Sequence, residues 1–387
     1  MAEVIVISPP FSESTDDHLP KVVCAAVHPG AAETAFQVLP YLAGKVAITV
    51  VAAGCAVDTY EGLYGPVSTE ERYESVAEAL NSERVPKDPA VVVDTVANES
   101  GLHVELSKKY RGVKGVKRVI LSDSYTATPL DVQRYRDDDK EHEDQEPCPP
   151  DLVVAIDRYD QANVAKLFAG YLRADRIIRA APAFDYAANR SELARLEKVG
   201  LDALQTGSRP LFAVFPTIMG EVDALRLLQD CAPALGQIAK AGCDVILKTH
   251  PRERDDAWEE YAALLRDNGV NPINPGKLPV TVIVAAARAG TVALSSSTAS
   301  HHSVQQRRPT YLALSEREAW VPIPPLVQTG AARLVRPHEL ANLALQSMAP
   351  GDPLSLKLQD AMNKAYPLDG NGGRRVAKHI IELTETR

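Results

Sequence analysis

Short apolar runs rich in valine and isoleucine recur along the chain, separated by longer segments in which Ala, Leu, Glu and Arg mix at helix-compatible spacing. That alternation is the pattern of repeated strand–helix–strand units and predicts an α/β protein with mostly parallel sheets. In the first half the predicted strands are residues 21–27 (KVVCAAV), 46–52 (VAITVVA), 90–94 (AVVVD), 118–122 (RVILS), 152–156 (LVVAI) and 176–179 (RIIR). Several are apolar but for an end residue, as strands covered on both faces are. Residues 3–8 (EVIVIS) read either as an added edge strand or as an ordered tail.

A polar, helix-compatible stretch at 189–204 interrupts the pattern, which then restarts with predicted strands at 210–215 (PLFAVF), 244–248 (DVILK), 280–285 (VTVIVA) and 291–294 (TVAL). The restart predicts two Rossmann-like domains facing a central cleft. Their expected bounds are 1–188 for the first, 189–208 for a linker and 209–350 for the second, with helices over 351–387 packing back on the first. The segment 134–150 (RYRDDDKEHEDQEPCPP) is dense in charge and closed by prolines, so it reads as a solvated loop. Its Asp137, Asp138 and Asp139 are candidate metal ligands only in name, because a carboxylate run in a polar loop is usually solvated.

Composition narrows the picture. The length of 387 residues suits two domains, and 45% hydrophobic with 24% charged residues is ordinary for a globular chain. A formal net charge of −9 argues against a general nucleic-acid binder. The five cysteines, Cys24, Cys55, Cys148, Cys231 and Cys243, are odd in number and lack close-paired metal spacing, so they read as reduced thiols. Residues 1–10 carry no basic leader, and no segment reaches the roughly 18 apolar residues that span a bilayer. A cytoplasmic location without a transmembrane segment is the expectation.

The residues with the clearest chemistry lie in the second half. Lys248, His250, Pro251 and Arg252 lie, with Thr249, in the run KTHPR at the end of a predicted strand, the edge on which open α/β sheets bind ligands. Lys248 and Arg252 supply positive charge, His250 can donate to a phosphate oxygen, and Pro251 limits the loop. One strand–helix unit later, Ser295, Ser296, Ser297, Thr298 and Ser300 precede His301 and His302. Hydroxyls at the opening of a helix can join its N–H groups in holding an anion. Residues 216–221 (PTIMGE) open the loop after the second half's first strand, where Thr217 and Gly220 could reach a donor phosphate.

An HP element followed by a serine run resembles the nucleotide-binding motifs of bacterial sialyltransferases and polysialyltransferases, and of the related capsule and CDP-glycerol transferase families. The matching positions are His250, Pro251, Ser296 and Ser297, with Ser295 an alternative member of the pair. The resemblance implies a GT-B-like fold and contacts from these residues to a donor nucleotide and its phosphate. The Asp/Glu-Asp/Glu-Gly element that supplies the base in those sialyltransferases is absent, and Asp123 in LSDSY is an imperfect substitute. Residues 181–185 (APAFD) resemble the G-x-P-x-x-D turn that precedes the interdomain linker of nucleotide-sugar epimerases and transferases.

In the first half, His28 in the HPG that follows strand 21–27 has a side chain suited to taking a proton from an acceptor hydroxyl. Glu33 is a second candidate, and Asp94, Glu99, His103, Asp123 and Ser124 flank other strand ends. The expected activity is transfer of a sugar or related group from a nucleotide-sugar donor to a glycan or small-molecule acceptor. No metal and no cofactor beyond that activated co-substrate is expected, and a homodimer is left open. Two other readings share the scaffold. One is a non-hydrolysing nucleotide-sugar 2-epimerase, whose S-G-G segment is here replaced by the serine run, and the other is a non-catalytic binding protein.

Overall fold

The computed structural model describes residues 3–9, 18–27, 29–95, 101–121, 127–142, 146–155, 158–179, 190–205, 207–216, 224–250, 253–254, 256–294, 297–313, 325–328, 330–348, 357, 360–361 and 371–386. The chain divides into two compact units, Met1–Tyr186 with Gly370–Arg387, and Ala187–Asp369.

Among the described residues, unit 1 is built on one sheet whose strands are β1 (Val4–Ile7), β2 (Lys21–Ala26), β3 (Ala47–Ala53), β4 (Arg72–Tyr73), β5 (Val91–Asp94), β6 (Lys117–Leu121), β7 (Leu152–Ala155) and β8 (Ile177–Arg179). They lie in the order β4-β1-β3-β2-β5-β6-β7-β8. From β3 to β8 every pairing is parallel, whereas β1 runs antiparallel to both β3 and β4. The 3–8 run is therefore a strand one place in from the edge, with only the two-residue β4 outside it.

Helices cover both faces of this sheet, which is why its strands are apolar at nearly every position. One face packs α1 (Pro29–Phe36), α2 (Leu39–Leu42) and α3 (Cys55–Tyr64) over Val22, Cys24, Val91, Val93, Val119 and Leu121. The C-terminal helix of the described chain, Gly372–Glu385, adds Val376, Ala377 and Ile380 to the same core. It sits so close that a Cβ on Gly373 would lie 2.9 Å from the Gln37 carbonyl oxygen. The other face packs α4 (Val76–Asn81), α5 (Leu102–Tyr110), α6 (Ala127–Glu141) and α7 (Arg158–Leu167) over Val23, Ala25, Val92, Ile120 and Val153.

Helix α6 corrects the expectation of a solvated loop for residues 134–141, whereas 146–150 carry no regular secondary structure. Val132 and Tyr135 fall three residues apart and bury one stripe of the helix, while much of its charge lies outside. Asp138 and Asp139 turn inward to Arg111, at 2.6 and 2.7 Å. Ser107 Oγ donates to Asp138 and Tyr171 Oη to Asp139, at 2.6 and 2.7 Å. The charge run hid the helix because two of its acids have partners elsewhere in the fold.

Unit 2 carries a five-stranded parallel sheet, β9 (Leu211–Pro216), β10 (Asp244–Leu247), β11 (Gly290–Leu294), β12 (Thr310–Ala313) and β13 (Arg333–Val335), ordered β10-β9-β11-β12-β13. The last two strands were not anticipated from the apolar runs; each is three or four residues long. Around the sheet lie α8 (Arg190–Leu204), α9 (Ala224–Lys240), α10 (Ala257–Asp267), α11 (Val280–Ala286), α12 (Thr298–Gln305), α13 (Pro325–Gln328) and α14 (Leu340–Ser347).

Helix α11 is the second correction, since 280–285 was read as a strand. A short run that is buried all round has no periodicity to separate helix from strand. Thr281 to Ala286 are all buried, the run starts beside Pro279, and it ends in alanines. Gly200 of α8 lets α11 approach, because a Cβ there would lie 2.8 Å from the Val282 carbonyl oxygen. Arg308 closes the far end by donating to the carbonyls of Val284 and Ala285, and Glu197 of α8 balances its charge.

Candidate functional site

The parallel strands of each sheet reverse their order once, and open α/β sheets take ligands outside the carboxyl ends of the strands at that reversal. In unit 2 the chain passes from β9 to β10 on one side, then crosses back to β11 and continues through β12 to β13. The reversal falls between β9 and β11. Leu247 of β10 and Val292 of β11 are both level with Val214 of β9, so the three carboxyl ends open on one edge. At a strand spacing of about 4.8 Å, the ends of β10 and β11 are roughly 10 Å apart with β9 between them.

Lys248, Thr249 and His250 leave β10 at this edge. The Lys248 amide donates to Val214 O at 3.0 Å, and its ammonium reaches Gly276 O at 2.6 Å. His250 is half-buried, and its carbonyl accepts from the Glu253 amide at 2.9 Å, which turns the chain toward α10. Trp258 braces the strand end by donating its indole N–H to Leu247 O at 3.1 Å.

On the other side of β9, Ser297 caps α12. Its backbone is extended, and its hydroxyl accepts from the Ala299 amide at 3.3 Å. Thr298 is the first residue of the helix. Beyond it, Ser300, His301, His302 and Ser303 are buried. Ser303 ties the helix to the sheet, accepting from the Thr291 hydroxyl and donating to Ala299 O, both at 2.8 Å. The two histidines thus belong to the packed body of α12. The remaining residues singled out for the donor, Thr217, Gly220, Pro251, Arg252, Ser295 and Ser296, lie outside the described residues.

In unit 1 the parallel strands reverse between β2 and β5, because β3 lies on one side of β2 while β5 to β8 follow on the other. Glu33 sits on α1, the helix after β2, and is buried. His28, Glu99, Asp123, Ser124 and residues 181–185 lie outside the described residues.

The described part of this edge holds a buried polar cluster. Asp94 ends β5, and one of its carboxylate oxygens is 2.8 Å from His103 Nδ1 and 3.3 Å from the Tyr135 hydroxyl. His103 is the second residue of α5, so strand end and helix start bring the pair together. Their side chains are 7% and 4% exposed, for His103 and Asp94 respectively, and the other ring nitrogen, Nε2, is buried without a hydrogen-bond partner. Leaving such an atom unpaired costs about 1–3 kcal/mol. The Tyr135 ring lies 5.1 Å from the His103 ring and 4.1 Å from the Arg118 guanidinium carbon.

Burial pushes the Tyr135 phenol well above its usual range, so it meets Asp94 as a neutral donor. Burial works against the charge on Arg118, and its neighbours Tyr135 and Asp94 act the other way, with a net rise in pKa. Sequence reading placed Asp94 and His103 at a strand end but overlooked Arg118 and Tyr135. The alternation within β6 was the available signal, since position 118 shares a sheet face with Ile120 beneath the helices. Among the described residues, no three or more His, Cys, Asp or Glu side chains gather as a metal site, and no helix is long and apolar enough to cross a membrane.

Two Rossmann-like domains of this kind define a fold of the GT-B type. No protein-family model matches the sequence, and no curated protein matches it. Among solved structures the fold is shared. The S. aureus MnaA–UDP co-structure matches with a TM-score of 0.63 at 10% identity, over 95% of this chain and 98% of that one. A UDP-GlcNAc 2-epimerase from Neisseria meningitidis bound to UDP-GlcNAc matches with a TM-score of 0.62 at 10% identity, over 94% and 100%. The wall teichoic acid polymerase TagF matches with a TM-score of 0.60 at 11% identity, over 97% and 92%.

Proposed function

We propose that the protein is an enzyme that moves a sugar or related group from a nucleotide-activated donor to an acceptor hydroxyl, with the nucleotide held by unit 2. The observation that carries this reading is the edge of the second sheet, where Lys248 and His250 flank one side of β9 and the capped start of α12 the other. A phosphate between them would meet cationic side chains and helix N–H groups, the combination that stabilises charge on a leaving phosphate. Arg252, Ser295, Ser296, Thr217 and Gly220 would add donors from the neighbouring loops, and Pro251 would restrain one of them. Because these positive groups belong to the protein, the proposed reaction needs no divalent metal.

Unit 1 would hold the acceptor, and His28, Glu33 and Asp123 are the proton acceptors suggested by loop position. The fold neighbours support a nucleotide-linked substrate class, since one is a complex with UDP and another with UDP-GlcNAc. A second reading, a nucleotide-sugar 2-epimerase, is favoured by the Neisseria likeness and would need no acceptor.

The test is incubation with CMP-, CDP-, UDP-, GDP- and dTDP-linked donors in excess EDTA, with free nucleotide measured. Release from one donor, accelerated by an acceptor, is the expected result. Isomerisation of the donor without an acceptor would favour the epimerase. A melting shift without turnover would leave a binding protein.

A further inference from the structure

We propose that His103, oriented by Asp94, is the proton acceptor of the reaction on unit 1, ahead of His28, Glu33 and Asp123. The proposal rests on the transfer reading above and names the group that performs one of its steps.

The geometry comes first. A carboxylate only accepts hydrogen bonds, so the 2.8 Å contact from Asp94 places the proton of a neutral imidazole on Nδ1 and the lone pair on Nε2. That lone pair is buried and meets no donor of the protein. Asp94 is held from a second direction by the Tyr135 hydroxyl, and the Tyr135 ring packs against the imidazole. Arg118 lies across the same ring, with Nη1 also buried and unpartnered. The pair is thus fixed in tautomer and orientation, as a general base requires, and one of its nitrogens is left without a task in the fold.

Its place in the fold agrees with that use. Asp94 is the last residue of β5, paired with Ala25 of β2, so the dyad stands on the carboxyl edge beside the strands where the order reverses. His103 opens α5 at the same edge. The unpaired Nε2 is a lone pair that the hydroxyl of a ligand reaching it would satisfy.

The step balances as follows. The acceptor hydroxyl gives its proton to Nε2 while its oxygen forms a bond to the transferred carbon. The bond from that carbon to the donor phosphate oxygen breaks, and its electron pair leaves with the nucleotide. Asp94 stays ionised and stabilises the imidazolium through the Nδ1–H bond.

The experiment compares the full-length protein with His103→Gln and Asp94→Asn, each checked for folding by thermal melting. Nucleotide release is measured with the donor that the unsubstituted protein uses, and nucleotide affinity by calorimetry. In His103→Gln, kcat should fall by about a hundredfold or more while nucleotide Kd stays within about threefold. Asp94→Asn should lower kcat in the same way by releasing the ring's orientation. A folded His103→Gln protein with kcat within about threefold of the original would overturn the proposal and leave the transfer reading intact. No nucleotide release by the unsubstituted protein would overturn both.

Imidazole nitrogen shifts in the unsubstituted protein give an arm that survives a folding failure in either variant. In the neutral ring of His103 they should show the proton on Nδ1, facing Asp94. A proton on Nε2 in the neutral ring would overturn the role of base.

Discussion

Replacing Arg111 with Met removes the guanidinium that Asp138 and Asp139 turn inward to meet. The side chains of Arg111, Asp138 and Asp139 are 7%, 17% and 7% exposed, so solvent screens the loss poorly. Removing one partner from a buried ion pair costs about 3–5 kcal/mol. Here Asp138 keeps the Ser107 hydroxyl at 2.6 Å, and Asp139 keeps the Tyr171 hydroxyl at 2.7 Å and the Cys148 amide at 3.0 Å. Those bonds favour the lower end, about 3 kcal/mol, still a large part of the 5–15 kcal/mol typical of a domain.

The pH dependence has a definite sign. Burial acts to raise the Asp138 pKa, but the hydrogen bonds from Ser107 and Arg111 and the Arg111 charge outweigh it, and the net shift is downward. A depressed carboxylate stabilises the fold above its unfolded value, near 4, and loses that contribution as pH falls through the folded value. Urea melts of the original protein and Arg111→Met should therefore differ most at neutral pH and converge below about pH 4. A neutral-pH loss under about 1 kcal/mol, or a gap that does not narrow in acid, would refute the reasoning.

Two further outcomes follow from the packing. Gly236→Ala should destabilise unit 2, because its Cβ would lie 2.4 Å from the Asn268 carbonyl oxygen. That clash, about 1–3 kcal/mol, exceeds the roughly 1 kcal/mol helix-propensity gain, and an unchanged or raised urea midpoint would count against it. Burial pushes the Cys24 thiol, with Asp94 adding to the effect, and the Cys231 thiol, with Asp230 adding, up to about 12. A thiol reagent at about pH 8 should modify both only after unfolding, while the half-buried Cys55 and Cys148 react sooner; rapid native labelling of Cys24 would contradict this.

Much of this fold was legible because its strands are covered on both faces. Residues 21–27, 46–52 and 90–94 are each apolar at all positions but one, and each overlaps an observed strand. The same feature produced the error at 280–285, where a helix buried all round looks like such a strand. At 134–141 the reverse occurred, since a helix supported by Arg111 and Tyr171 carried a sequence that resembles a solvated loop. Lys248 and His250 could be placed at the carboxyl end of a strand from sequence because a single apolar strand precedes them. The Asp94–His103–Tyr135–Arg118 cluster could not, because it joins two strands and two helices through contacts that no local pattern encodes.

The central claim is that the edge formed by β10, β9 and β11 holds a nucleotide phosphate, and calorimetric titration of the protein and of His250→Ala tests it most directly. The titrants are the diphosphate and monophosphate nucleotides of the donors named above. One nucleotide should bind the original protein. Loss of one charge-assisted hydrogen bond, about 1.5–3 kcal/mol, should weaken it roughly tenfold to a hundredfold in the variant. An unchanged Kd in a well-folded His250→Ala protein would contradict the account.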